Sequence, residues 1–402
     1  MNVSFCLLVV LLGNQLCCLL AKGTRPKWGP VDPDVNRNVS QLIHNRGFPV
    51  EEHDVITKDG YILSVQRIPH GRKGRESPGP RPVVFLQHGL LADSSCFVQS
   101  WEYDSLGYIL ADNGYDVWLG NIRGNRYSRS HVKYNHKQRE FWDFSFEEFG
   151  EYDIPAMIEH ALSVSGQSQL YYIGHSQGTL VGFISFSTHP EIAKKVKRFI
   201  ALAPIFHLNH TATIVRDAAF TLGPIQELLF PLGPTQFFPG YLIKLLTKLG
   251  FCGGKYKAKL CYDISELIFG FDDGNANMSR VPVFFTHFPS GTSFKNIIHF
   301  GQIVYYGRTA RFDYGKRRNM KRYGKPKPPV YDVTKMDVPT ALILGTHDNL
   351  STVPDVAPIR AQIPHVTFYE VIPEWNHIDF VAGIDAYKLL YPKLLNLLQE
   401  FE

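Results

Sequence analysis

The stretch of this chain best suited to covalent chemistry is a serine between two glycines, in Gly174-His175-Ser176-Gln177-Gly178. It follows the apolar run Leu170-Tyr171-Tyr172-Ile173 and precedes Thr179-Leu180-Val181-Gly182-Phe183-Ile184. The order is strand, very tight turn, helix. A G-x-S-x-G pentapeptide in that setting holds the serine in a strained conformation, with Oγ projecting above a sheet. The flanking glycines are expected where strand and helix approach too closely for a side chain. The motif alone is weak: with Gly and Ser each at about 7% of residues, chance supplies it with odds on the order of one in seven. An ordinary strand-to-helix turn reads the same, so the partners decide the matter.

A serine hydroxyl is a poor nucleophile until a base removes its proton, and that base needs a third group to fix its tautomer. On such a turn the partners follow in the order Ser, acid, His. Asp348 comes after the apolar run Thr340-Ala341-Leu342-Ile343-Leu344, at a strand end, which is the expected place for the acid. His377 comes after the strand 366–371 and near the chain's end. The competitors are Asp355, better placed to cap a helix, and Asp379, too close in sequence to His377 to orient its ring. His88 precedes Ser176, His175 adjoins it on the turn and is expected to point elsewhere, and His347 competes by type alone. A tetrahedral intermediate also requires two N–H donors for its oxyanion. The residue after the nucleophile, Gln177, supplies one. The loop Gln87-His88-Gly89-Leu90-Leu91 after an early strand supplies the other, through Leu90. No H-E-x-x-H, paired C-x-x-C or phosphate loop competes, and the chemistry requires no metal or organic cofactor.

The elements that must position these groups alternate. A hairpin over 50–57 and 61–68 turns through Asp59-Gly60. Val83-Val84-Phe85-Leu86 and 115–119 read as buried parallel strands, with a helix near 106–113 between them. A helix over 146–164 feeds the strand before Ser176, and another strand covers 199–203. This is the rhythm of a doubly wound α/β sheet. From 206 to 329 the alternation gives way to a helical, aromatic stretch in which 242–249 is amphipathic. It resumes after Tyr331 and closes on a helix over 387–401 that contains Pro392.

At 402 residues the chain is long enough for one large domain with an insertion, and its 44% hydrophobic and 20% charged content is that of a globular protein. The first residues form a short apolar run suited to a secretory signal, too short to cross a membrane. A signal over 1–21 removes Cys6, Cys17 and Cys18. Of the remainder, Cys252 and Cys261 lie close together around Gly253-Gly254 and are the expected pair, leaving Cys96 as a buried thiol. Sequons at Asn38, Asn209 and Asn277 are glycosylation candidates, whereas the one at Asn349 adjoins Asp348 and is expected to stay empty. Between 311 and 328, eight basic residues face one acid, a net of +7 that exceeds the +5 of the whole chain. A solvated loop or an anionic-surface contact explains this charge; nucleic acid does not fit a secreted chain.

Longer motifs carry a resemblance. Gln87-His88-Gly89-Leu90-Leu91-Ala92-Asp93-Ser94-Ser95, the Ser176 pentapeptide, Asn277-Met278-Ser279-Arg280-Val281, Thr286-His287 with Gly291-Thr292-Ser293, and Asn376-His377-Ile378-Asp379-Phe380 together resemble the acid lipase family, of lysosomal and gastric type. The resemblance runs from about residue 32 to the end. It implies an α/β-hydrolase core in two parts, 22–205 and 330–402, with a mainly helical cap over 206–329. It also implies Ser176, Asp348 and His377 as triad, Leu90 and Gln177 as oxyanion hole, and Cys252–Cys261 as the cap disulfide. The implied reaction is hydrolysis of triacylglycerols or cholesteryl esters at a lipid interface, at acidic pH, in the lysosome or outside the cell. A short-chain esterase and a non-catalytic lipid-binding homologue are the alternatives. This chain departs from the family at Gly345-Thr346-His347-Asp348, where paired glycines precede the acid, at Cys96-Phe97, where Asn-Trp stands, and in its basic segment.

Overall fold

Runs of β-branched, aliphatic and aromatic residues too apolar to face water build the central sheet. The computed structural model describes residues 32–73, 79–237, 255–272 and 274–400, with positions 245, 247 and 252; the expected signal segment and most of 242–249 lie outside them. Among the described residues the strands are β1 (Glu51–Ile56), β2 (Tyr61–Ile68), β3 (Val83–Gln87), β4 (Asp116–Gly120), β5 (Ser130–His131), β6 (Leu170–His175), β7 (Val196–Leu202), β8 (Gln236–Phe237), β9 (Thr292–Ser293), β10 (Thr340–Gly345) and β11 (Val366–Ile372). Nine of them form one sheet in the order β1-β2-β4-β3-β6-β7-β10-β11, with β5 beside β2. Pairing is antiparallel from β1 through β2 to β4 and parallel from there to β11. The first hairpin turns at Gly60, whose φ of 97° is open to glycine. β8 and β9 make a separate two-stranded ribbon.

Successive side chains of a strand face opposite ways, and this divides the core in two. Val83, Phe85, Tyr172, Phe199, Leu342 and Leu344 join one cluster, whereas Val84, Leu86, Tyr171, Ile173, Ile200 and Ile343 join the other. The helices are α1 (Val39–Asn45), α2 (Leu106–Asp112), α3 (Ile154–Ser165), α4 (Gln177–Thr188), α5 (Thr213–Leu222), α6 (Lys255–Phe269), α7 (Val281–His287), α8 (Phe294–Tyr306), α9 (Lys316–Tyr323), α10 (Val353–Gln362) and α11 (Tyr391–Gln399), with shorter turns between. α3, α4 and α10 cover the first face through Ile158, Phe183 and Val356, and α1, α2 and α11 cover the second through Ile43, Leu110 and Leu394. This three-layer arrangement is the α/β fold expected from the alternation.

Two helices differ from expectation, both at proline. The helix expected over 146–164 breaks into a turn at Phe146–Glu148, a π-helical stretch at Phe149–Asp153, and α3, in whose first turn Pro155 sits. Proline donates no N–H and clashes with the preceding turn, so the ladder widens before it. The closing helix likewise divides into Ala386–Leu389 and α11, with Pro392 in the first turn of α11. Proline is well tolerated there because that N–H lacks a helical acceptor anyway.

Between β7 and β10 the chain leaves the sheet and runs through α5 to α9 and the β8–β9 ribbon. Cys252 and Cys261 are joined by a disulfide in this stretch. Cys96 is a buried free thiol, and burial pushes its pKa up. No helix of the described residues is long and apolar enough to cross a membrane. Because β3, β6, β10 and β11 run parallel, the loops after them open at one edge of the sheet, where doubly wound folds form their crevice.

Candidate active site

β6 ends at His175 and α4 begins at Gln177, so Ser176 alone makes the turn, with φ 55° and ψ −121°. A serine at positive φ is strained and persists only where its surroundings hold it. The Ser176 amide donates to the Leu202 carbonyl at 3.0 Å, and the Thr179 hydroxyl donates to the Ser176 carbonyl at 2.7 Å. Space explains the glycines. A Cβ on Gly174 would lie 2.6 Å from the Gly178 carbonyl oxygen, and one on Gly178 would lie 2.3 Å from the Gln87 carbonyl oxygen of β3.

The groups expected to meet this serine do so. His377 Nε2 lies 2.7 Å from Ser176 Oγ, and His377 Nδ1 lies 2.8 and 3.0 Å from the two oxygens of Asp348. A base that faces a hydroxyl through Nε2 and a carboxylate through Nδ1 carries its proton on Nδ1. The amides of Leu350 and Ser351 donate to Asp348 Oδ1 at 2.8 and 2.7 Å and so fix the orientation of the carboxylate. All three side chains are buried. One helix, α10, and one strand, β11, separate Asp348 from His377.

The loop after β3 lies against the serine: a Cβ on Gly89 would be 2.9 Å from Ser176 Cβ. Its orientation follows from one carbonyl. The Gly89 oxygen accepts from His88 Nδ1 at 2.8 Å and from the Ala92 amide at 3.2 Å. In a planar trans peptide the N–H points opposite the C=O, so fixing the Gly89 carbonyl fixes the Leu90 N–H. Leu91 adopts φ 60° to complete the turn. Gln177 opens α4, where the amide has no acceptor within the helix. His88 Nε2 faces Asn125 Nδ2 at 3.2 Å, and burial keeps this imidazole neutral, below its ordinary pKa. Asn125 in turn donates to Asn121, which donates to Gln66 and Ser94. Sequence reasoning weighed His88 only as a rival base and missed this polar chain. Its signal was the run Asn121-Ile122-Arg123-Gly124-Asn125 directly after a fully buried strand.

The other competitors are occupied elsewhere. Asp355 accepts from the amides of Asn209 and His210 at 3.0 and 2.9 Å, beside the α10 N-cap Thr352. The His347 side chain is exposed. His175 does not point away from the site, as its place on the turn suggested. Its Nε2–H donates to the His377 carbonyl at 2.8 Å, and burial, with His377 adding to it, drives its pKa down to about 3. Asp379 Oδ2 accepts from the Asn376 amide at 2.6 Å and so braces the histidine loop. Burial and the neighbouring Asp272 push its pKa up to about 8.

The inserted segment is tied to all of these loops. The Phe269 carbonyl accepts from the His377 amide at 3.1 Å, and the Phe269 ring lies parallel to the imidazole, 6.1 Å away. The Ser290 amide donates to the Leu91 carbonyl at 2.6 Å. Arg126 pairs with Asp93 at 3.0 Å and donates to the carbonyls of Thr286 and His287. From α8, the fully buried Asn296 donates through Nδ2 to Gln177 Oε1 at 2.8 Å and accepts from the Phe146 amide. Of the sequon residues, Asn38 and Asn209 are exposed, and Asn277 and Asn349 are half-buried.

The chain is similar to known lipases along most of its length. Residues 39–101 match the partial alpha/beta-hydrolase lipase region, and residues 82–223 match the alpha/beta hydrolase fold. Human lysosomal acid lipase/cholesteryl ester hydrolase is 45% identical, over 97% of this chain and 99% of its own. Human gastric triacylglycerol lipase is 40% identical, over 93% of this chain and 94% of its own. Among solved structures, the monoglyceride lipase of Saccharomyces cerevisiae aligns with a TM-score of 0.54 at 14% identity, covering 93% of this chain and 99% of its own, a likeness of fold alone. Near full-length similarity at this level shows that the chain belongs to the acid lipase family of α/β-hydrolases.

Proposed function

We propose that this protein hydrolyses the carboxylic esters of neutral lipids, triacylglycerols or cholesteryl esters, through an acyl-enzyme on Ser176. The observation that carries the proposal is the unbroken chain of hydrogen bonds from Ser176 Oγ through His377 to Asp348. In the first step His377 Nε2 takes the hydroxyl proton as Oγ bonds to the acyl carbon, and the carbonyl oxygen becomes an oxyanion. The Leu90 and Gln177 amides meet that charge, a contribution worth about 10²–10³-fold per donor in comparable sites. The imidazolium, steadied by Asp348, then protonates the leaving alcohol as the C–O bond breaks. Water repeats the sequence and releases the fatty acid.

The names of the relatives support neutral lipid esters as substrate, and they support a secretory or lysosomal destination and acidic working pH. Residues 206–329 act as a cap on a core formed by 22–205 and 330–402. The rings of Phe269, Phe288 and Phe284, each within about van der Waals reach of the next, offer an acyl chain an apolar wall that begins beside His377. The test is Ser176→Ala assayed on triolein, cholesteryl oleate and a soluble short-chain ester across pH. Loss of all three activities is expected, with the wild type favouring the long-chain lipids. Full activity in the variant sinks the mechanism, and a wild type confined to short esters sinks the lipase reading.

A further inference from the structure

The +7 segment forms a built surface. Its helix α9 carries Lys316, Arg317 and Arg318 in the first turn, where the helix dipole disfavours cations, and its N-cap Gly315 provides no side-chain cap. The sequence therefore breaks a local rule that a merely solvated helix has no reason to break. The helix is nevertheless pinned from beneath. Buried Asn319 donates to Asp313 Oδ1 at 2.7 Å and to the Pro326 carbonyl at 3.0 Å, and Tyr323 donates to the Phe312 carbonyl at 3.0 Å. Among the described residues, Arg311 is the one cation of the eight in an ion pair, with Glu147 and Glu151. Lys316, Arg317, Lys321, Lys325 and Lys327 face outward and exposed, with Met320 among them at 49% exposure.

An apolar ridge stands beside the helix. Leu222, Ile225 and Leu228 recur every three residues through a run of short helical turns, and Leu228 is 75% exposed. The two features adjoin: Gly315 packs against the Glu227 carboxylate, Arg318 lies 5.7 Å over the Phe230 ring, and Phe230 meets Phe312 at 5.5 Å. An apolar ridge rimmed by cations is the pattern of a segment that lies in a membrane interface, with the leucines among acyl chains and the cations at headgroups. A soluble polyanion would use the cations and leave the ridge idle.

We propose that α9 and the 222–228 ridge form a docking surface for lipid that carries anionic headgroups, holding the enzyme on the particle that contains its neutral substrate. The proposal rests on the neutral-lipid reading above. It is tested with the full chain and vesicles of phosphatidylcholine, alone or with added phosphatidylserine, the bound fraction being read by flotation. The wild type is expected to bind the anionic vesicles more tightly, with the difference shrinking as salt rises. Each basic residue near an anionic surface contributes about fivefold, so K316Q/R317Q/K321Q is expected to lose about a hundredfold on anionic vesicles and little on neutral ones. Leu228→Asp is expected to weaken both. Turnover of a soluble short-chain ester is expected to be unchanged in both variants. A chain that hydrolyses no ester yet prefers anionic vesicles overturns the hydrolase reading alone. Equal binding to both vesicles overturns the docking surface, as does retention on heparin without any vesicle preference.

Discussion

Asn296 of the inserted segment donates a hydrogen bond to the side chain of Gln177, 119 residues earlier in the chain, at 2.8 Å. Gln177 is the residue whose backbone amide faces the acyl oxygen in the proposed mechanism, so the inserted segment braces one wall of the proposed oxyanion site. Asn296→Ala leaves the buried Gln177 amide group unpaired, at about 1–3 kcal/mol. A fall in kcat of about tenfold is expected on a soluble ester, with Asn296→Asp restoring no more than part of it. Unchanged kcat would remove Asn296 from the site.

His88 positions the Leu90 amide through the Gly89 carbonyl. His88→Ala is expected to lower kcat about a hundredfold, the scale of one oxyanion donor, while KM stays near its original value. His88→Gln retains a donor and is expected to recover part of the loss. An equal fall in stability and rate, with no rescue by Gln, would make the role structural only.

Asp379 ties stability to pH. With its folded pKa raised to about 8 and an unfolded value of about 3.9, the folded state holds the extra proton between those limits. Stability therefore falls as pH rises from about 4 to about 8. His175 works the other way: its folded pKa of about 3 lies below the unfolded value of about 6.5, so its contribution is lost as pH falls through that window. Asp379→Asn is expected to shrink the drop in melting temperature between pH 5 and pH 8. The same drop in variant and wild type would exclude Asp379 as its source.

Gly178→Ala tests the close approach at the turn. The added Cβ would meet backbone at 2.3 Å, and backbone moves less readily than a side-chain tip. A loss of about 3 kcal/mol or more is expected in denaturant unfolding, as for severe overpacking, together with lost activity because β3 carries the oxyanion loop. Wild-type stability would contradict the geometry.

The strands, and the meeting of Ser176 with His377 and Asp348, were legible because each leaves a local mark. Apolar runs such as Val83-Val84-Phe85-Leu86 show strands buried on both faces, and Ser176, Asp348 and His377 keep the order this fold imposes. The supporting polar groups leave a fainter mark or none. The run around Asn125 at least follows a buried strand, but Asn296 finds its partner by tertiary packing, and nothing beside it in sequence says whether it faces water or Gln177. The helix breaks were written in Pro155 and Pro392, but an apolar pattern on either side masked the missing N–H. Adjacency on a tight turn suggests that His175 points away from the histidine loop, whereas the turn aims it at that loop's backbone.

The ties from Phe269 to His377, Ser290 to Leu91 and Asn296 to Gln177 bear on exchanging specificity between relatives. Transplanting a foreign inserted segment would cut three supports of the proposed reacting groups at once. A workable chimera must keep these seams and swap only what lies between them. By the same logic, inheritance can alter the preferred ester freely in the stretches between the seams, while a change at a seam registers first as lost turnover.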